Sequence, residues 1–420
     1  MLKFLHAADI HLDSALHKLE AYEGAPLKAL RQATRKALGN LVALAISEGV
    51  DFVLIAGDLY DGEWKDYNTG LYLVSQIRRL RQAGIRVFIV AGNHDAASRI
   101  TRSLRLPEGV KFYRSDAPET CRIKGLDVAV HGQSFASPAI RKDLSSRYPP
   151  PVPGYYNIGL LHTCATGRQG HEPYAPCTIE GLASKGYDYW ALGHVHQREV
   201  LLDDPLIVFP GNIQGRHIRE TGSKGCMVVS VDDRGRSHVE FKSLDVIRWK
   251  RIRVDASGVE ETYDLIDLII DGLEKNLSEN EGLPLIARIE IGGVSRVHEA
   301  FASDPERWKN EIRSAAVDSS GDQVWIEKVN LLTGTSEWIE DRTWTGPIGE
   351  LLQYLEELRT DVDELISLGG TLGELGKRLP REFREDPESA ALDNPRWLGK
   401  ILEQVRPMLL HRLMKKEGVR

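Results

Sequence analysis

Three short apolar runs, each breaking off in a polar cluster, constrain this chain more than any other feature. Leu2 to Ala8 runs into Asp9-Ile10-His11, and Phe52 to Ala56 into Gly57-Asp58-Leu59-Tyr60-Asp61. Val87 to Ala91 runs into Gly92-Asn93-His94-Asp95. Stretches with apolar residues at helical spacing lie between them. Leu27, Leu30, Ala33, Ala37, Leu41 and Leu44 mark a helix over 26–48, with Pro26 suited to its first turn and Gly49 to its end. A second helix is expected over about 69–83, stopping at Gly84. Strand, helix, strand, helix, strand implies a parallel layer joined by right-handed crossovers. Side chains beyond the carboxyl ends of such strands converge on one crevice, so the three clusters are expected to meet.

After residue 109 the elements shorten, with strands expected at 110–114, 120–124, 126–131 and 157–162, the last ending at His162. Tyr187 to Leu192 leads into Gly193-His194-Val195-His196, and Ile207-Val208-Phe209 into Pro210-Gly211-Asn212. Met227 to Val231 and Val239 to Lys242 read as a closing hairpin around Asp232-Asp233-Arg234-Gly235. The expected architecture is α/β, a sandwich of two sheets with helices outside. At 420 residues the chain exceeds one ordinary core. Residues 251–333 read as a separate α+β unit, with strands near 252–254, 285–291 and 324–332 and helices near 260–277 and 305–316. None of the candidate ligands lies there. From 346 onward the pattern is helical and charged, ending in a helix over about 396–416 with the apolar stripe Leu398, Leu402, Val405, Leu409 and Leu413. The domains expected are therefore 1–250, 251–340 and 341–420.

With 42% hydrophobic and 27% charged residues the composition is that of a folded globular protein. No apolar run reaches the ~18 residues a membrane span needs, which makes a cytoplasmic protein the expectation. Cys121, Cys164, Cys177 and Cys226 show no paired zinc-ligand spacing and read as reduced. The net charge of −7 is unevenly spread. Residues 1–250 hold 32 Lys and Arg against 27 Asp and Glu, whereas residues 251–420 hold 22 against 34. Such asymmetry suggests a basic or near-neutral catalytic half and an acidic remainder facing something else.

In chain order the groups at strand ends are Asp9, His11, Asp58, Asn93, His94, His162, His194 and His196. Mixed imidazole and carboxylate donors suit Mn²⁺, Fe²⁺ or Zn²⁺ better than Ca²⁺. Two ions about 3.5–4 Å apart need a bridging carboxylate, for which Asp58 is the natural candidate. Taken singly, a histidine at a strand end is more often a core group than a ligand, and Asp58 after glycine suits an ordinary turn. Neither account covers all the segments together.

The motifs D-x-H, G-D, G-N-H-D, H and G-H-x-H, in this order, resemble those of the calcineurin-like metallophosphoesterases over residues 1 to about 215. The resemblance implies a four-layer α/β/β/α sandwich. It also implies that Asp9, His11, Asp58 and His196 hold one divalent ion and Asp58, Asn93, His162 and His194 a second. His94 would bind neither and stand over the phosphate, oriented by Asp61 or Asp95. Two such ions, Mn²⁺ above all, would neutralise a phosphodiester and provide a nucleophile at neutral pH. His94 would then stabilise or protonate the leaving oxygen.

Leu5-His6-Ala7-Ala8-Asp9-Ile10-His11-Leu12 resembles the opening of the SbcD-type DNA-repair nucleases, and Gly57-Asp58-Leu59-Tyr60-Asp61 their bacterial form. Pro210-Gly211-Asn212-Ile213-Gln214-Gly215-Arg216-His217 departs from the Pro-Gly-Ser usual there and resembles the YhaO branch. This implies a DNA exonuclease subunit with a capping domain at 251–340, acting on DNA ends. It further implies an SbcC-type coiled-coil ATPase partner, docked on the C-terminal helices, and a homodimer. Arg99, Arg102 and Arg216 are the expected contacts to backbone phosphates. Two alternatives are a phosphodiesterase or phosphatase for small molecules or phosphoproteins, and a DNA-end-binding scaffold for an ATPase.

Overall fold

A computed structural model describes residues 2–14, 27–61, 67–97, 107–165, 174–334 and 347–370, together with 398–399 and 401–402. The chain groups into two compact units. One comprises Met1–Arg251, Glu274–Arg288 and Ser320–Glu327, and the other Ile252–Leu273, Ile289–Ser319 and Lys328–Arg420.

The first unit is built on two six-stranded sheets. In the first sheet, β1 (Leu2–Ala7), β2 (Phe52–Ala56), β3 (Arg86–Val90) and β4 (Val110–Phe112) run parallel side by side. The hairpin of β11 (Gly225–Val231) and β12 (Ser237–Ser243) adds to the other edge of β1, antiparallel to it. The second sheet runs in the order β5 (Glu119–Ile123), β6 (Val128–Gly132), β7 (Tyr156–His162), β8 (Tyr189–Gly193), β10 (Leu206–Phe209) and β9 (Glu199–Asp203). Its inner members β6, β7, β8 and β10 are parallel.

Three apolar layers hold these sheets. Phe4, Phe52, Phe88, Ile158, Leu160, Tyr189 and Met227 fill the space between them, with the Phe4 and Phe52 rings stacked at 5.0 Å. Helices α1 (Leu27–Ser47) and α2 (Tyr67–Gln82) cover the outer face of the first sheet, where Leu38, Leu41, Leu73 and Ile77 meet Val53, Ile55 and Val87. Trp190, Leu182, Tyr148 and Phe209 make the third layer on the outer face of the second sheet. The result is the expected sandwich with helices outside. Several short elements were not foreseen, among them helices over Ile179–Ala183 and Val297–Ser303. Residues Asn93–Ala97 form a one-turn helix, α3, where a turn was expected, and β9 was unassigned because its half-exposed, irregular burial gives no clear period.

A smaller three-stranded sheet has the order β13 (Arg248–Asp255), β14 (Leu285–Val294) and β15 (Val324–Gly334). In the second unit Ile266, Ile269, Ile289, Ile291, Phe301 and Ile312 are buried. The helices over Pro347–Thr360 and Val362–Gly370 follow. Leu398 and Leu402, the first two members of the expected terminal stripe, are buried among Leu355, Leu358 and Leu365, so that part of the stripe is used internally. Val405, Leu409 and Leu413 lie outside the described residues. No described helix is long and apolar enough to cross a membrane.

Candidate metal centre

Each polar cluster begins where a parallel strand ends, and the backbone there adopts conformations that turn side chains inward. Asp9 (φ 50°), His11 (φ 43°), Asp58 (φ 51°) and His194 (φ 107°) all sit at positive φ, rare for residues with a side chain. Concentration of such strain at one place is typical of functional sites. The cost is offset by hydrogen bonds. The His194 amide donates to the Asp9 carboxylate at 3.0 Å, and the His94 amide to Asp58 Oδ1 at 3.0 Å. Glycine makes room for the approach. A Cβ on Gly92 would lie 2.2 Å from Asp58 Oδ1, and one on Gly57 2.4 Å from His162 Nδ1.

Three groups of donors meet: Asp9 with His11 and His196, His11 with Asp58 and His94, and Asp58 with His162 and His194. Asp58 is shared by the last two groups and His11 by the first two. His11 Nε2 lies 3.2 Å from His196 Nε2 and 3.8 Å from Asp58 Oδ2. His196 Nε2 is 3.9 Å from Asp9 Oδ1. On the other side, His162 Nε2 is 2.9 Å from Asn93 Oδ1 and 3.5 Å from Asp58 Oδ2.

The donor set fits divalent cations. His162 Nδ1 faces the Ala56 carbonyl at 2.9 Å, so the proton belongs on Nδ1 and the lone pair of Nε2 turns to Asp58 and Asn93. His196 Nδ1 faces Glu220 Oε1 at 2.7 Å, which likewise leaves Nε2 to the centre. Burial pulls His162 down to about 3, and burial with the Arg216 charge does the same to His11, so both rings are neutral. Burial and then the neighbouring charge of Asp58 push the Asp9 carboxyl well above the ordinary carboxylate range. Lone pairs and carboxylates gathered at 3–4 Å repel one another, and a dication relieves that repulsion.

His94 is arranged differently. Its Nδ1 lies 3.0 Å from Asp61 Oδ1, and its side chain is 38% exposed where those of His11 and His162 are fully buried. Burial lowers its basicity, but the bond to Asp61 and the charge of Asp58 outweigh that and raise its pKa above the ordinary value. Asp61 accepts a second bond from the Ser14 hydroxyl at 2.6 Å. Although burial works against it, the imidazoles of His11 and His94 and the Arg216 guanidinium hold Asp61 well below the usual carboxylate range. Asp95 does other work. Its two oxygens accept from the amides of Leu59, Tyr60 and Gly92, which ties the loop after β2 to the loop after β3. Of the two carboxylates expected beside His94, Asp61 is therefore the one in contact.

Arg216 was expected to face a nucleic acid backbone. Its side chain is only 12% exposed, and the guanidinium lies between Glu220, 3.2 Å from Nη2, and Asp61, 3.8 Å from Nη1. Arg99 and Arg102 lie outside the described residues. Glu220 was missed by the sequence reading. It follows no apolar run, and no motif marks it.

Comparison with known proteins defines the class first. The pattern described as calcineurin-like phosphoesterase matches residues 2–198, and calcineurin-like phosphoesterases use a dimetal site. The pattern described as the middle domain of metallophosphoesterase YhaO matches residues 249–334. An uncharacterized metallophosphoesterase YhaO of Bacillus subtilis is 34% identical over 298 residues, 70% of this chain and 72% of that protein. The chain belongs to the calcineurin-like metallophosphoesterases, in the YhaO group. A more distant relative, the DNA double-strand break repair protein Mre11 of Methanopyrus kandleri, is 26% identical over 357 residues, 78% of this chain and 70% of that protein.

Proposed function

We propose that the chain is a two-metal phosphodiesterase that hydrolyses DNA phosphodiester bonds at DNA ends, working in the cytoplasm. The observation that carries the reading is that one carboxylate, Asp58, is shared by two groups of donors, with His11 Nε2 3.8 Å and His162 Nε2 3.5 Å from its Oδ2. Asp9, His11, Asp58 and His196 would hold one ion, and Asp58, Asn93, His162 and His194 the other. Mixed nitrogen and oxygen donors suit Mn²⁺, Fe²⁺ or Zn²⁺, and Mn²⁺ is the ion this reading takes. Bound there, the ions would supply Lewis acidity and a nucleophile at neutral pH.

The chain's own residues do the rest. His94, more exposed than the ligand histidines and with its Nδ1 held by Asp61, would meet the leaving oxygen as a proton donor. Asp95 keeps the two loops that carry Asp58 and His94 in register. The similarity to a DNA double-strand break repair protein supports DNA over smaller phosphodiesters. A coiled-coil ATPase and a second copy of the chain are the partners that go with this reading.

Linear duplex DNA labelled at either end, incubated with Mn²⁺, tests it. Wild-type protein should release labelled nucleotides, and Asp58→Ala should release none. Cleavage of a nitrophenyl phosphodiester with all DNA left intact would sink the choice of substrate and leave the hydrolase standing.

A further inference from the structure

Glu220 is buried, 4% exposed, and both of its oxygens are in use. Oε1 faces His196 Nδ1 at 2.7 Å and accepts from Arg216 Nη2 at 3.2 Å. Oε2 accepts from Asn212 Nδ2 at 2.9 Å and from the Arg216 amide at 2.7 Å. His217 Nε2 stands 3.4 Å from Oε1. Arg216 Nη2 also lies 3.3 Å from His196 Nδ1, but two N–H donors cannot bond each other, so both serve Oε1. The other end of the same guanidinium reaches Ser14 Oγ at 3.4 Å and Asp61 at 3.8 Å. Asp61 in turn holds His94. One arginine therefore lies between two carboxylates, each of which fixes the Nδ1 of a different site histidine.

We propose that Glu220 is a positioning residue of the metal centre, holding His196 in the tautomer that turns Nε2 inward, and that Arg216 joins this ligand to the His94–Asp61 pair. The inference rests on the two-metal reading. A carboxylate behind a ligating imidazole fixes its ring and raises its basicity, and loss of such a partner commonly lowers metal affinity about 10–100-fold. Asn212 gives this carboxylate its second fixed point. That is a use for the Pro210-Gly211-Asn212 turn, because Asn212 Nδ2 also bonds the Gln214 carbonyl at 2.8 Å and cannot swing away. Arg216 balances buried Glu220 and half-buried Asp61, so replacing it should disturb His196 and His94 together.

The test titrates Mn²⁺ alone into the full-length metal-free chain by calorimetry, with the folded state of each variant checked by circular dichroism. Wild type should bind two ions. Glu220→Gln keeps an acceptor of the same shape and should weaken one of the two about tenfold, leaving the other near its wild-type affinity. Glu220→Ala should weaken the same one by up to about 100-fold. Arg216→Met should weaken that ion and also lower turnover of a nitrophenyl phosphodiester at saturating Mn²⁺, by way of the His94–Asp61 pair. Folded Glu220 variants that bind both ions as wild type does would overturn the positioning role alone. A wild-type chain that binds no Mn²⁺ would overturn the two-metal reading, and this inference with it. If Glu220→Ala fails to fold, the Glu220→Gln titration decides.

Discussion

The two sheets of the sandwich meet at the same centre but bring different chemistry to it. The ends of β1, β2 and β3 supply all the nearby aspartates, Asp9, Asp58, Asp61 and Asp95, together with His11, Asn93 and His94. The ends of β7 and β8 supply imidazoles alone, His162, His194 and His196. Each set is fixed by the opposite sheet. The amide of His194 holds the Asp9 carboxylate, and the carbonyl of Ala56 holds His162. Neither edge is a binding site by itself. The centre exists only once the two sheets have packed face to face, so its geometry inherits the rigidity of the Phe4, Phe52 and Tyr189 layer between them.

The sharpest way to break this division is to remove one histidine from each side. If the first sheet provides the group that handles protons and the second only ligands, His94→Gln and His194→Ala should fail for different reasons. His94→Gln should lose about 10²–10⁴-fold in turnover, the usual contribution of a positioned acid, with two Mn²⁺ still bound per chain. His194→Ala should lose bound metal first and turnover as a consequence. Plasma emission analysis of dialysed protein reads the stoichiometry, and a nitrophenyl phosphodiester reads the rate. Loss of an ion from His94→Gln would place that residue among the ligands and end the distinction.

A smaller effect should follow from forcing the sheets apart. A Cβ on Gly193, at the end of β8, would lie 1.9 Å from the Ala56 carbonyl oxygen at the end of β2. Backbone cannot swing aside as a side chain can, so Gly193→Ala should cost about 3 kcal/mol, the upper part of the ordinary range for overpacking. Tm should then fall by roughly 6–12 °C. Gly125→Ala meets nothing within 4 Å and should leave Tm unchanged. Equal melting of the two variants would show that the sheets are free to separate at this point.

The strand ends were legible because each ligand candidate follows a largely apolar run. Val53, Ile55, Ile89 and Leu161 are all buried, and such runs specify strands whose ends are then fixed in space. The partners behind those groups were not legible. Asp61 and Asp95 stand on equal terms in sequence, three residues after Asp58 and one after His94. Only the fold shows that Asp95 turns back to the amides of its own loops and Asp61 forward to an imidazole. Glu220 lies 24 residues from His196 in a loop without periodicity, so no local pattern could have paired them. Arg216 was read as a phosphate contact from its charge and neighbourhood. Of the two carboxylates that enclose it, Asp61 is distant in the chain, and Glu220 lies four residues on in a loop whose folding back no periodicity marks.

The smallest expected effect concerns a polar tie between the sheets that touches no ligand. His6 on β1 bonds the Tyr189 hydroxyl at 3.0 Å and the Leu192 carbonyl at 3.1 Å, both on β8. Burial pulls its pKa from the ordinary 6.5 to about 3. Between those values the unfolded chain takes up a proton at this ring that the folded chain does not. Acidification therefore favours unfolding, with a slope of about 1.4 kcal/mol per pH unit once the pH is well below 6.5. Allowing for the partial protonation near 6.5, the ring should remove about 1 kcal/mol of stability between pH 7 and pH 5.5. His6→Gln abolishes that contribution while His11, His131 and His162, whose pKa values are also lowered, remain in both proteins and cancel. Urea unfolding of the metal-free chain at the two pH values should accordingly show a loss on acidification about 1 kcal/mol smaller in the variant. An equal loss in both would mean that His6 is already charged in the folded state, and that the two sheets are held together there by something other than a neutral imidazole.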